Sequence, residues 1–297
     1  MSNFINIYKL GFSQFSGNNG RMIINTEDLD AAGCQSITGI TCDPAGIIYI
    51  TDSVSHAIFK CLPTGEASLF AGLPGVSGNN SNQKVILEDA RFNSPSGISC
   101  DKSDNIYVAD SGNNQIRKIY GGVYVTLLAG DPNCTSGFVS GNVLLSKFNS
   151  PQDVAIDSSG KIWVADTMNH AIRFIYNNMV YTVAGNGTPG NISGSALTAK
   201  LNRPIAIMPR ADGRICIADT GNRQIKMFDF VNVWPFCGNG SYGTYVGIAY
   251  QSQFQEILYG DVDSNGNIYI IDFDIVDGIH SRLMKINNDG SPRVIVH

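Results

Sequence analysis

Five aspartates, Asp52, Asp110, Asp166, Asp219 and Asp272, recur at intervals of 58, 56, 53 and 53 residues, and four places after the first four stand His56, Asn114, His170 and Arg223. Converging carboxylates and imidazoles can hold a divalent metal and activate water, the chemistry of a hydrolase or a lyase. Only two histidines share a register, however. A carboxylate repeated five times at one point of a repeat is better explained by one recurrent local job, accepting backbone N–H bonds at a turn. Arg117, Arg173 and Lys226 each follow their anchor by seven residues and read as bases paired with acidic neighbours or held in solvent. His56, Asn114, His170 and Arg223 are therefore the candidate ligand- or partner-binding residues, and no catalytic or metal-binding residue is assigned.

One segment offers calcium chemistry. Asp261, Asp263, Asn265 and Gly266, with Asp272 in twelfth place, match the spacing of a calcium loop. That loop belongs between two helices, whereas here it occupies a strand, a tight turn and a second strand. Calcium at Asp261, Asp263 and Asn265 is accordingly not expected, and no cofactor is assigned. The chain contains no G-x-S-x-G, no H-E-x-x-H and no phosphate-cradling glycine loop. Enzymatic activity is left open, with the balance against it.

The elements that position these residues follow from periodicity. Before each anchor lies an alternating run such as Ile106-Tyr107-Val108, and ahead of it a second apolar run ends in Asp, as in Val154 to Asp157. DPAG, DKSD, DSSG, RADG and DSNG stand between the two runs and supply tight-turn chemistry. A third strand follows the anchor (QIRKI, AIRFI, QIKMF), and a fourth comes after a turn such as YGGV. Each unit is thus a four-stranded antiparallel meander. None can cover both of its faces alone, so the units are expected to pack radially as an all-β propeller, one domain over 1–297. Five blades are expected, with six as the alternative. The opening FINIYKLGFSQFSG resembles a fourth strand, so closure is expected by pairing of the N- and C-terminal strands. Gly39 and Gly97, in the innermost strands, suit close packing there.

The pattern P-x-G-[IV]-x-x-D-x-x-G-x-[IL]-[YW]-[VI]-[AT]-D-[ST]-x-N-x-x-I-[RK] resembles the NHL repeat, and the linker TVAGNGTPGNISGSALTAKLNRP is similar to that of the bacterial-type NHL group. The resemblance covers nearly the whole chain. It implies a propeller of five or six blades. It implies no single function, since such propellers include RNA binders, protein-binding platforms, sugar-lactone hydrolases of related shape and a peptide-amidating lyase.

In a meander of this order the long connections (Gly72 to Pro95, Gly130 to Pro151, Gly185 to Pro204, Gly238 to Tyr259) share one face, and that is where recognition is expected. Their Gly, Ser and Asn content is first of all turn chemistry. A net charge of -5 gives no general pull toward phosphate, so nucleic acid is disfavoured. No run is long and apolar enough for membrane insertion, and the start has no secretory pattern, so synthesis in the cytoplasm is expected. The seven cysteines lack disulfide or metal spacing and read as buried or incidental thiols. The leading reading is a non-catalytic interaction or structural module that docks a protein or glycan on its long-loop face. Low charge with abundant Asn, Gly, Ser and Tyr suits a subunit of a larger assembly, such as a virion or surface component. A metal-dependent lactonase- or lyase-like propeller is the alternative, and an RNA-binding propeller the second.

Overall fold

A computed structural model describes residues 26–80, 83–273 and 281–296. The fold is all-β, a five-bladed β-propeller of four- or five-stranded antiparallel sheets. Among the described residues the only α-helix is Thr26–Ala31. The expected pairing of the opening segment with the C-terminal strand lies outside the described residues.

The chain forms two compact units that divide at Ile156 and Asp157, inside the first turn of the third repeat. In the first unit, one blade runs Ile37–Cys42, Ile48–Asp52, Ala57–Cys61 and Ala67–Ala71, each strand beside the next. The second blade runs Pro95–Cys100, Ile106–Asp110, Gln115–Tyr120 and Tyr124–Ala129. Alternation puts Tyr49 and Ile58 of one blade and Ile98, Val108 and Ile119 of the next into one core, closed by Phe92 from the linker between them. Burying a side chain of that size contributes about 1.5–3 kcal/mol.

The second unit holds the strands Ile162–Asp166, Ala171–Tyr176 and Met179–Ala184, then two whole blades. The fourth blade is Pro204–Pro209, Ile215–Asp219, Gln224–Phe228 and Asn232–Cys237; the fifth is Glu256–Val262, Ile268–Phe273, Ser281–Ile286 and Pro292–Val296. Ala218, Ile225 and Met227 pack with Ile257, Ile270 and Met284, with Phe254 sealing the layer from the linker. Phe92 and Phe254 stand at matching places, so each of these linkers returns a phenylalanine to the core between consecutive blades.

Crowding at the first strands is as expected. A Cβ on Gly97 would lie 2.5 Å from the Asp153 Cα, and one on Gly39 would strike the Ser96 carbonyl. The linkers hold structure that pattern reading does not foresee. Val85–Ile86 pairs with Tyr124-Val125, and Gly194–Ser195 with Asn232-Val233, each adding a short fifth strand. Gly-Ser has no intrinsic strand preference; the exposed N–H and C=O groups of the fourth strand's edge drive the pairing.

Candidate functional site

Each anchor aspartate stands at or next to the end of a strand and is fully buried. In four of them the carboxylate reaches back 17 residues to a backbone N–H at the end of the preceding linker: Gln35 for Asp52, Asn93 for Asp110, Asn202 for Asp219 and Gln255 for Asp272. The bonds from Asn93, Asn202 and Gln255 are 2.7, 2.6 and 2.7 Å. The Asn three places on donates its side-chain amide to the same carboxylate, at 2.9 Å from Asn113, 2.8 Å from Asn169 and 2.7 Å from Asn222. Accepting backbone N–H bonds is thus the recurrent job of these residues, although most of those bonds come from the linker and not from the turn.

The seventh-place bases are buried ion-pair partners and are not solvated. Arg117 lies 3.3 Å from Asp110, Arg173 2.7 Å from Asp166 and Lys226 2.7 Å from Asp219, with every side chain fully buried. The same cations donate to linker carbonyls, Arg117 to Arg91 at 3.2 Å and Lys226 to Lys200 at 3.3 Å. Asn113 and Asn222 also donate to the linker, at the carbonyls of Gly78 and Gly190. In the second and fourth blades sheet and linker are tied together through a charged knot.

Blade one departs from this rule. Its seventh place is the buried Phe59, and Asp52 takes backbone N–H bonds from Gln35, Ser36, Val54 and Ser55. Burial pushes the Asp52 carboxyl up, but those four donors outweigh it and hold it below the usual carboxylate range. For Asp110, Asp219 and Asp272 burial wins over the attached cation and raises the carboxyl. Burial likewise lowers Arg117 and Arg173 against the pull of their aspartates.

The calcium-like segment is a turn of the same kind as its counterparts. Asp263 Oδ1 accepts from the Asn265 and Asn267 N–H groups, and Oδ2 from the Asn267 amide and the Tyr269 hydroxyl. Asp101 bonds Ser103, Asn105 and Tyr107 in the same way, and Asp157 bonds Ser159, Lys161 and Trp163. Each carboxylate fastens its hairpin turn to the aromatic or other polar tip of strand two. Among the described residues no group of three or more His, Cys, Asp or Glu side chains is placed to hold a metal ion. Burial raises Cys216 and Cys237 to about 12, which keeps both as thiols.

His56, Asn114, His170 and Arg223 all sit in the left-handed region, with φ of 57°, 55°, 51° and 53°. Each side chain reaches the start of the following repeat. His56 Nδ1 accepts the Ser94 N–H at 3.0 Å, Asn114 Oδ1 the Ser150 N–H at 2.8 Å, and His170 Nδ1 the Arg203 N–H at 3.0 Å; Arg223 Nε donates to the Gln255 carbonyl at 3.2 Å. They act as latches between consecutive repeats within each unit, and each serves its own junction. The hydroxyl that follows the anchor adds a second link that sequence reasoning missed: Ser111 bonds the Pro151 carbonyl, Thr167 that of Pro204 at 2.7 Å and Thr220 that of Ile257 at 2.8 Å. The invariable Ser or Thr after Asp110, Asp166 and Asp219 was the available signal.

Sequence reasoning also missed a repeating apolar pair on the linkers. Val139 and Leu144 precede Pro151 by twelve and seven residues; Ile192 and Leu197 stand so before Pro204, and Tyr245 and Tyr250 before Ile257. All six are exposed, from 42% for Val139 to 70% for Tyr250. Leu145, beside Leu144, is 73% exposed. The first linker has Gln83 and Glu88 at these places.

Comparison with known proteins agrees with this architecture. The family model described as NHL repeat matches residues 92–119 and 148–173. NHL repeat-containing protein 2 of Gallus gallus is 32% identical over 183 residues, 57% of this chain and 25% of that protein. Protein SUPPRESSOR OF QUENCHING 1, chloroplastic, of Arabidopsis thaliana is 28% identical over 200 residues, 61% of this chain and 18% of that protein. The matches therefore span a quarter or less of these two relatives. Among solved structures, the XC5397 gluconolactonase of Xanthomonas campestris superposes with a TM-score of 0.60 at 13% identity, covering 89% of this chain and 76% of that one. Virginiamycin B lyase from Staphylococcus aureus gives 0.55 at 11% identity, with 88% and 69% covered. At such identities the structural likeness is one of fold. The chain carries NHL repeats, and its fold is that of an NHL-repeat β-propeller.

Proposed function

We propose that the protein is a non-catalytic docking module that takes a protein or glycan partner on its long linkers. The observation that carries this reading is the apolar pair repeated in three successive linkers, Val139 with Leu144, Ile192 with Leu197, and Tyr245 with Tyr250, each held out to solvent. Exposed apolar side chains at a repeated place on rigid loops are what a binding surface requires. The ionisable residues support it from the other side: Asp110, Asp219 and Asp272 and their cations are consumed in fastening linkers to the sheets. A subunit of a larger assembly, a virion or surface structure, is the setting we infer from the low charge and the Asn, Gly, Ser and Tyr content.

The test is a linker variant, Leu144→Asp with Leu197→Asp, assayed in the native assembly. The variant melts with wild type yet fails to incorporate; incorporation at the wild-type level contradicts the proposal. A metal-dependent lactonase or lyase is the second reading, and the fold shared with the Xanthomonas gluconolactonase and the Staphylococcus lyase favours it. It requires stoichiometric divalent metal and turnover of a lactone by the purified chain.

A further inference from the structure

We infer that the fourth linker, residues 238–255, is a binding site for an uncharged carbohydrate chain; this rests on the docking reading and gives it a ligand class. The sequence GNGSYGTYVGIAYQSQFQ has no Asp, Glu, Lys or Arg, whereas each of the other three linkers carries charges. What it holds instead is tyrosine and amide. Tyr245 and Tyr250 are 57% and 70% exposed, and among the described residues nothing bonds either hydroxyl. Gln251 is exposed next to Tyr250, and the exposed Asn239 donates to the Gln251 carbonyl and accepts the Ser241 N–H within the linker. Flat aromatic faces take the C–H side of a sugar ring, and neutral amides take its hydroxyls without the desolvation penalty of a charge.

The linker is also held in shape from beneath. Arg282 donates to the Thr244 carbonyl at 2.6 Å and to that of Gln253 at 2.8 Å. Ser252, fully buried, accepts the Gly247 N–H at 3.2 Å and donates to the Gly247 and Ile248 carbonyls. Gln253 N–H bonds the Tyr245 carbonyl at 2.8 Å. The Tyr245 ring lies so close over Gly247 that a Cβ there would meet its Cε1 at 2.6 Å. The tyrosines thus project from a backbone fixed before any ligand arrives, which lowers the entropy cost of a weak, hydroxyl-rich ligand. Arg223 stacks on the neighbouring Tyr242 ring at 5.6 Å while its Nε is engaged by the Gln255 carbonyl. This guanidinium beside an exposed tyrosine is the reason an acidic sugar must be an arm of the test.

Saturation-transfer-difference NMR on the full chain tests it, with maltohexaose, cellohexaose and mannohexaose as neutral probes and sialyllactose as the acidic one. The expected result is transfer to the C–H protons of at least one neutral probe. Tyr250→Ala and Tyr245→Ala each weaken it about tenfold, the effect of one lost aromatic contact. Tyr250→Phe and Tyr176→Ala, the latter an exposed ring on another blade, bind as wild type. No transfer to any neutral probe, equal transfer in the Tyr245→Ala/Tyr250→Ala double variant, or transfer to sialyllactose alone overturns the inference. A chain that binds no sugar yet loses its native assembly through Leu144→Asp keeps the docking reading and loses only this one.

Discussion

Arg282 stands directly across the strand pair from Asp272 and grips its carboxylate with both Nε, at 2.8 Å, and Nη2, at 2.6 Å. In the second and fourth blades the residue at that place is a glutamine, Gln115 opposite Asp110 and Gln224 opposite Asp219, and the cation comes from two residues further on. The fifth blade therefore builds the same charged knot from a different position. Its longer connection between strands two and three has moved the base, and Met284 fills the core place that Arg117 and Lys226 hold elsewhere.

Removing that guanidinium leaves a buried carboxylate without its cation and frees three linker carbonyls, those of Gly243, Thr244 and Gln253. Arg282→Ala is expected to cost about 3–5 kcal/mol, the usual penalty for stranding one member of a buried pair. Urea unfolding measures it. The double variant Arg282→Met/Asp272→Asn should recover a large part of the loss, because neither charge is then left alone.

Acid sensitivity should come from a latch. Burial holds the His170 imidazole below its ordinary pKa of 6.5, against the attraction of Asp219, so its neutral Nδ1 can accept the Arg203 N–H. The unfolded chain binds that proton more readily than the folded one. The stabilisation is therefore complete above pH 6.5 and is lost as the pH falls through the depressed folded value. His170→Asn copies the latch that Asn114 makes to Ser150 and should flatten the melting temperature as the pH falls below 6.5. A variant whose pH profile matches wild type contradicts the assignment.

First-strand glycines should tolerate no side chain. At Gly97 an added Cβ meets backbone, the Asp153 Cα at 2.5 Å and the Gln152 carbonyl at 2.9 Å, so no rotamer change relieves it. Gly97→Ala is expected to cost at least about 1–3 kcal/mol. Gly141→Ala, where no atom lies within 4 Å but φ is 118°, serves as the comparison and should cost less than Gly97→Ala. Thermal melts of the two variants decide the order.

The Asp263 turn yields a separate expectation. Asp263→Ala removes four accepted hydrogen bonds and should lower stability by about 1–3 kcal/mol in the presence or absence of calcium. Calorimetric titration with calcium should give no binding heat at submillimolar concentrations. Submillimolar binding abolished by the substitution would make the segment a calcium site.

Much of this was legible in the sequence because it is periodic. The anchors, the turns before them and the alternating runs each recur five times, so a single misread residue could not hide the meander or the blade count. The function of Asp52 and its four counterparts as acceptors was readable for the same reason. What escaped was set by neighbours distant in sequence. Nothing in Gly194-Ser195 announces a strand, since the free edge at Asn232-Val233 creates it. Arg117 looks like a surface base until the linker carbonyl of Arg91 and the Asp110 carboxylate close over it. His56, Asn114, His170 and Arg223 were singled out as one set by register, and the structure gives them one shared task, fastening each repeat to the next.

The most direct test of the docking account places a photo-activated benzoylphenylalanine at Leu145 in the second linker and, separately, at Ser159 in a short strand-one turn. After illumination in the native assembly, the account predicts one discrete adduct from position 145 and none from position 159. Adducts from both positions alike, or none from 145 while the purified chain turns over a lactone with bound metal, would contradict it.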